Sequence, residues 1–468
     1  MYVAGLSVGG IHHNTIVVAT QHNSIYAFDA DSSGCAILWQ VNLVGAGETT
    51  IPAADIANCY DILGEFGVTG TPVIDPASLT LYVVAASKGG TNYFQRLHAI
   101  DLTTGAERSG SPATINATVT QYSGATISFN ALLQNQRPAL ALTNGGVVVG
   151  WSGHCDKGQY WGWLMRYDAT SLAQTAVFNV APNGNYGGIW MSGGAPAAHN
   201  SGALFLSTGN GSFDDTVSSL PPILPNNDFS MSFLSLNPTS LAVQDFYTPS
   251  SEATWSTSDL DISSGGVTVL PDGRGPSAHP NLLVGGDKQG NLWLLDRSSL
   301  GRFSATTNNV VQMLTLPGSS ICTGECMYST PAYYAGSVYL ANSVSQLLEL
   351  PLTGGIFSAN AQNMPVASST STETYQFPGP TPSISAAPSS GALIWVLDTS
   401  AYATSLGSGG PAVLRAYGVT NLNSTLYSSD SLSNHTAGNA VKFSVPVVAN
   451  GHVYVGGTRQ LTVYGLSP

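Results

Sequence analysis

The chain has 468 residues, of which 43% are hydrophobic and only 8% charged, and it carries 52 glycines and 26 prolines. Its formal net charge of −13 argues against nucleic acid or an acidic membrane surface as a partner, since both are negatively charged. No run of 18 apolar residues occurs, so no segment is suited to cross a bilayer as a helix.

The opening stretch, Met1-Tyr2-Val3-Ala4-Gly5-Leu6, reads as a strand. It lacks the basic and apolar regions of an export signal, so such a signal is expected to have been removed or truncated. One unit then recurs: a small or Thr/Pro-containing start, an apolar strand, a turn, a Val/Tyr-rich strand, another turn, and a strand ending in Asp or a polar equivalent. In the clearest copy, Thr15–Thr20 precedes Ser24-Ile25-Tyr26-Ala27-Phe28-Asp29, with Ser33-Gly34 as a turn and Trp39 in the next strand. Successive starts fall at Met1, Thr71-Pro72, Arg137-Pro138, Ala195-Pro196, Gly265-Gly266, Thr330-Pro331, Thr381-Pro382 and Val445-Pro446.

Short alternating strands separated by Gly, Asn, Asp and Ser are what a four-stranded antiparallel sheet requires. Eight such units predict an all-β fold, a single eight-bladed β-propeller over 1–468, or seven blades if one start is spurious. The last unit holds three strand-like segments ending at Tyr464. A closing strand is therefore expected upstream of residue 1, because Met1 already begins a unit of its own. Trp39, Trp293 and Trp395 are expected in the blade cores, and the Ser/Thr/Asn-rich stretches 107–135, 213–228 and 355–376 are expected as long loops on one face.

Five cysteines leave at least one unpaired. Cys322-Thr323-Gly324-Glu325-Cys326 can close a small loop, Cys35 and Cys59 form a plausible second pair, and Cys155 is expected to be free. Disulfides would imply an oxidising compartment, extracellular or periplasmic. The run Tyr160-Trp161-Gly162-Trp163 offers an aromatic platform for a sugar ring, with core packing as the alternative.

The most informative region lies between Gly187 and Arg297. Gly187-Gly188-Ile189-Trp190 leads into Thr208-Gly209-Asn210-Gly211; Ser258-Asp259-Leu260-Asp261 precedes the next start; and Gly286-Asp287-Lys288-Gln289-Gly290-Asn291 turns into Leu294-Leu295-Asp296-Arg297. This pattern resembles the middle blades of the quinoprotein alcohol dehydrogenases, which use pyrroloquinoline quinone (PQQ). The resemblance implies that Trp190 is the floor on which the quinone stacks, with Thr208 beside it, and that Asn210 ligates calcium. It further implies that Asp261 is a base beside the metal and that Lys288 hydrogen-bonds the quinone oxygens.

The third blade departs from the family, with Gly153-His154-Cys155-Asp156-Lys157-Gly158 where the family has a calcium-binding Glu. Asp156 replaces that Glu only if the loop is shifted, and Trp161 stands near the family's Arg. The family's adjacent cysteine pair has no counterpart at Val83–Lys88. No Cys-x-x-Cys-His occurs, which excludes covalent haem. Two functions are compatible with this reading: oxidation of a small alcohol or carbohydrate hydroxyl with PQQ and calcium, or a non-catalytic propeller that binds glycans or proteins through its polar loops.

Overall fold

The computed structural model describes residues 1–57, 59–200, 202–214, 227–387 and 391–465. Eight antiparallel sheets are arranged as an eight-bladed propeller, and each predicted start runs into the first strand of one sheet. After the opening strand Tyr2–Val8, the first strands are Val73–Asp75, Ala141–Thr143, Ala197–Ala198, Thr268–Val269, Ala332–Tyr334, Ser383–Ala387 and Val447–Ala449. First strands of neighbouring blades touch one another from blade 2 to blade 5 and again from blade 6 to blade 8. They therefore ring the axis, and the later strands of each blade lie progressively outward. Asn450 Nδ2 donates to Asp31 Oδ1 at 3.0 Å, which joins blade 8 to blade 1. Among the described residues the eighth blade has three strands.

In blades 2 to 6 the second strands are buried on both faces because each blade is sandwiched between two others. Leu81–Ala86 and Val147–Trp151 are inaccessible along their whole length, and so they read as continuous apolar runs rather than alternating ones. The hairpin between Ala141–Thr143 and Gly146–Gly153 turns at Asn144 (φ 47°) and Gly145 (φ 70°), the left-handed pair that matches strand twist. The Asp that ends so many third strands is a turn former. Asp29, Asp101, Asp168 and Asp296 each accept the backbone N–H two residues onward, which starts the turn into the fourth strand.

Trp39 and Trp293 are buried as expected, and Trp395 packs against a blade core. The long-loop expectation needs correction. Residues 107–135 contain the fourth strand of blade 2, Ala113–Thr114, and a separate hairpin pairing Thr118–Thr120 with Thr126–Ser128. Residues 355–376 contain Ser369–Tyr375, which pairs with Ser345–Thr353 as an outer strand of blade 6. Runs of Ser and Thr conceal such strands because only alternate side chains of an outer strand face the core. Most of 213–228 lies outside the described residues.

Cys322 and Cys326 are disulfide-bonded as expected. The other pairing is a correction: Cys59 is joined to Cys155, with Cα atoms 5.5 Å apart, and Cys35 is the free and exposed thiol. The bond spans 96 residues, because the propeller sets the segment leading into blade 2 beside the loop that follows Gly146–Gly153 in blade 3.

Candidate active site at one end of the axis

A chain that enters each blade by its innermost strand returns to the same end of the axis at the turn between second and third strands. Segments ahead of first strands and turns between second and third strands therefore meet at one mouth. Trp190 and Asp261 lie ahead of the first strands of blades 4 and 5. Asn210 and Asp156 follow the second strands of blades 4 and 3, and Lys288 sits in the corresponding turn of blade 5.

Three of these residues are in direct contact. Asp261 Oδ1 accepts the Asn210 backbone N–H at 2.6 Å, and Asp261 Oδ2 lies 2.7 Å from Lys288 Nζ. Lys288 also lies 2.7 Å from Asp259, whose Oδ1 accepts Asn210 Nδ2 at 3.3 Å. Gly209 connects this group to Trp190: a Cβ there would lie 2.3 Å from Asp261 Oδ1 and 2.9 Å from the indole Nε1. No side chain fits between the carboxylate and the ring, so a glycine is required. The Trp190 turn is pinned by Ser263, whose Oγ accepts the Trp190 N–H at 3.0 Å and donates to Ser207 O at 2.8 Å.

Asp156 joins the group through an irregular loop. Cys155 and Asp156 have φ of 51° and 50°, a left-handed conformation that costs free energy in non-glycine residues. The disulfide to Cys59 holds this loop, and Asp156 accepts a hydrogen bond from the buried Tyr160 hydroxyl. Burial, reinforced by Asp261 and Asp259 against the pull of Tyr160, raises the Asp156 carboxyl to about 6. Lys288 behaves oppositely: burial disfavours its ammonium, but the two aspartates hold it firmly charged.

Two polar atoms here are buried without a hydrogen-bond partner, Asn210 Oδ1 and Trp190 Nε1. Orphaned buried groups are costly, and they mark where a ligand can complete the site. Thr208 does not contribute in this way. Its hydroxyl donates to Phe229 O at 2.6 Å and accepts from Ser232 N at 3.0 Å, fully buried within blade 4. Nor do Tyr160, Trp161 and Trp163 offer a platform, since all three are buried. Cys59, Asp61 and Cys155 cluster closely enough for a metal, but both sulfurs are consumed in the disulfide.

The sequence reading missed Asp259 as a second partner of Lys288, Tyr160 as the partner of Asp156, and the residues ahead of the later first strands. Among these, Arg137, Tyr328, Phe377 and Phe443 also gather at the mouth. Their signal was their fixed position before each repeat start.

No protein-family model matches the chain, and no curated protein does. Solved structures do. BamB from Moraxella catarrhalis aligns over 100% of this chain and 98% of its own, at 11% identity and a TM-score of 0.51. Two quinohaemoprotein alcohol dehydrogenases, ADHIIG from Pseudomonas putida HK5 and the enzyme from Comamonas testosteroni, each align over 97% of this chain at 14% identity and a TM-score of 0.51. They are covered over 69% and 70% of their own lengths. The likeness shows the fold. This chain is a propeller of the architecture shared by BamB and the quinoprotein alcohol dehydrogenases, and at such identities function must be argued from the site itself.

Proposed function

We propose that the mouth of the propeller is the active site of a quinoprotein-type oxidoreductase that oxidises an alcohol or sugar hydroxyl, with PQQ and calcium as its resident groups. The observation that carries the reading is the position of Asp261, in contact with the Asn210 amide, Lys288 and the Gly209 backbone that lies over Trp190. The residues fit both groups. Asn210 Oδ1 is an unpaired oxygen acceptor, Asp261 and Asp156 supply carboxylates, and such hard oxygens suit calcium. Trp190 supplies a planar indole with a free N–H, suited to a flat quinone.

A quinone stacked on Trp190 would supply the hydride acceptor, and a cation held by Asn210, Asp156 and Asp261 would lower the pKa of the substrate hydroxyl. Asp261 Oδ2 takes the hydroxyl proton. Lys288 steadies the charge on that carboxylate beforehand and donates a hydrogen bond toward the acceptor side. Asp156, raised by burial to about 6, is mostly ionised at neutral pH, and a bound cation would favour that ionised form further. Trp190 and the tightly packed Gly209 fix the plane in which the reacting atoms meet.

Two disulfides support an oxidising location, extracellular or periplasmic, and no helix among the described residues is long and apolar enough to cross a membrane. A second reading, a non-catalytic propeller that binds glycans or proteins, is favoured by one observation. Lys288 already lies 2.7 Å from both Asp259 and Asp261, so it neutralises carboxylates that would otherwise attract a metal. Dye-linked oxidation of alcohols and sugars by protein supplied with PQQ and calcium separates the two. Turnover that disappears in Asp261→Asn supports the enzyme, and no turnover with any hydroxyl substrate supports the binding propeller.

A further inference from the structure

Ahead of the first strands of blades 3 and 8, two cations lie against one aromatic ring. The Arg137 guanidinium lies 4.3 Å from the Phe443 ring centroid, and Lys442 Nζ lies 5.1 Å from the Tyr402 ring and 5.9 Å from that of Phe443. Neither cation has an ion-pair partner within 4.0 Å among the described residues, and Arg137 Nη2 is buried with no hydrogen bond at all. Burial lowers Arg137 to about 10 and lowers Lys442 as well, against the attraction of Asp61, which lies in electrostatic reach of both. Arg137 remains charged at neutral pH.

This arrangement needs an anion. With 13 basic residues in the chain, two that share the Phe443 ring and have no ion-pair partner within 4.0 Å among the described residues raise the local potential, which Asp61 and Glu325 offset only from a distance. A buried guanidinium edge with no acceptor is costly. Phe443 is held at φ 65°, a strained conformation for an aromatic residue, and this conformation sets its ring against both cations. Phe377 packs edge-on against Phe443 and Tyr402, and Tyr328 packs against Phe377 and Phe443. Tyr328 is itself in electrostatic reach of Asp261 and Asp259. The aromatic wall therefore runs from the cation pair to the proposed catalytic carboxylate.

We infer that Arg137 and Lys442 form a carboxylate-binding subsite, and that the substrate carries an acid group as well as the hydroxyl to be oxidised: a uronic acid, free or ending an acidic glycan. A planar guanidinium matches a carboxylate bidentately, and the aromatic faces stack against the apolar side of a sugar ring. The inference rests on the proposed function for the role of the hydroxyl, but not for the binding of the acid.

The test is calorimetric titration of protein free of quinone and calcium with D-galacturonate and, separately, with neutral D-galactose. Galacturonate should bind at least tenfold more tightly, with affinity falling as salt rises. Arg137→Gln and Lys442→Gln should each weaken it at least tenfold, and the partly exposed Lys442 gives a reading even if Arg137→Gln misfolds. Equal affinity for the two sugars, absence of galacturonate binding, or full affinity in a folded Lys442→Gln protein would overturn the subsite. Because no oxidation is measured, the outcome is independent of whether the quinone reading holds.

Discussion

Asp261 divides its two oxygens between two blades: Oδ1 accepts the Asn210 amide of blade 4 at 2.6 Å, and Oδ2 pairs with Lys288 of blade 5 at 2.7 Å. Its side chain is 4% exposed and that of Lys288 12% exposed. Asp261→Ala therefore leaves a largely buried ammonium with only the more exposed Asp259, and an amide with no acceptor. Complete loss of a buried partner costs ~3–5 kcal/mol; with Asp259 remaining, a loss of about 2–3 kcal/mol is expected in urea unfolding. Asp261→Asn, which still accepts the amide, should lose less than Ala. Equal losses would mean that the Asn210 contact contributes nothing.

The Asp156 carboxyl is raised to about 6 in the folded protein, above the ordinary 3.8. Protonation is then favoured by folding, so this group's contribution is fully present below pH 3.8 and is lost as pH rises through about 6. Asp156→Asn, which still accepts the Tyr160 hydroxyl, should be more stable than the parent by ~3 kcal/mol above pH 7, with the difference vanishing near pH 4. Taking the difference between the two proteins removes the contribution of His154, lowered to about 4 by burial, which runs the other way. Calcium should raise the parent's melting temperature more than the variant's. A pH-independent difference would remove Asp156 from the electrostatics of the mouth.

The two disulfides should differ in weight. Loop-closure entropy gives about 5 kcal/mol for the 96-residue span of Cys59–Cys155 and about 2 kcal/mol for Cys322–Cys326. Cys59→Ser should therefore lower denaturant stability more than Cys322→Ser, while Cys35→Ser leaves it unchanged. Thiol titration of the native protein should find one reactive group. Two or more would contradict the pairing.

The eight starts and the apolar second strands were legible because they are local: a strand, its turn and the residues ahead of it lie close together in the chain. The group around Asp261 joins separate blades and was legible only through the resemblance to the quinoprotein alcohol dehydrogenases. What was not legible is non-local or locally disfavoured. Cys59 meets Cys155 only after two blades have stacked, and the nearer Cys35 was the natural choice. Asp156 reaches the mouth through two left-handed residues that no propensity predicts. Ser369–Tyr375 was read as loop because a run of Ser and Thr hides a strand whose apolar contacts are few. Arg137 was seen only as the start of a repeat, although its place before Pro138 puts it where Trp190 and Asp261 stand before their own first strands.

A buried network beneath the Lys288 turn tests the blade core. Asp287 is inaccessible, accepts hydrogen bonds from the Asn291 amide and side chain at 2.9 Å and from Trp293 Nε1 at 2.8 Å, and is raised to about 6 by burial. Trp293→Phe keeps most of the ring volume but removes one donor from a buried carboxyl. A loss of ~1–3 kcal/mol is expected, smaller below pH 5, where the carboxyl is protonated. No loss at neutral pH would mean that the indole N–H is not needed.

The central claim, that Trp190, Asn210, Asp261 and Lys288 form one cofactor site, is tested most directly by the amount of PQQ that stays with the protein through gel filtration in the presence of calcium. About one equivalent is expected for the parent chain, and little for Trp190→Ala or when calcium is replaced by chelator, with the fold intact by circular dichroism. No retained quinone in the parent, or equal retention in folded Trp190→Ala, would contradict it.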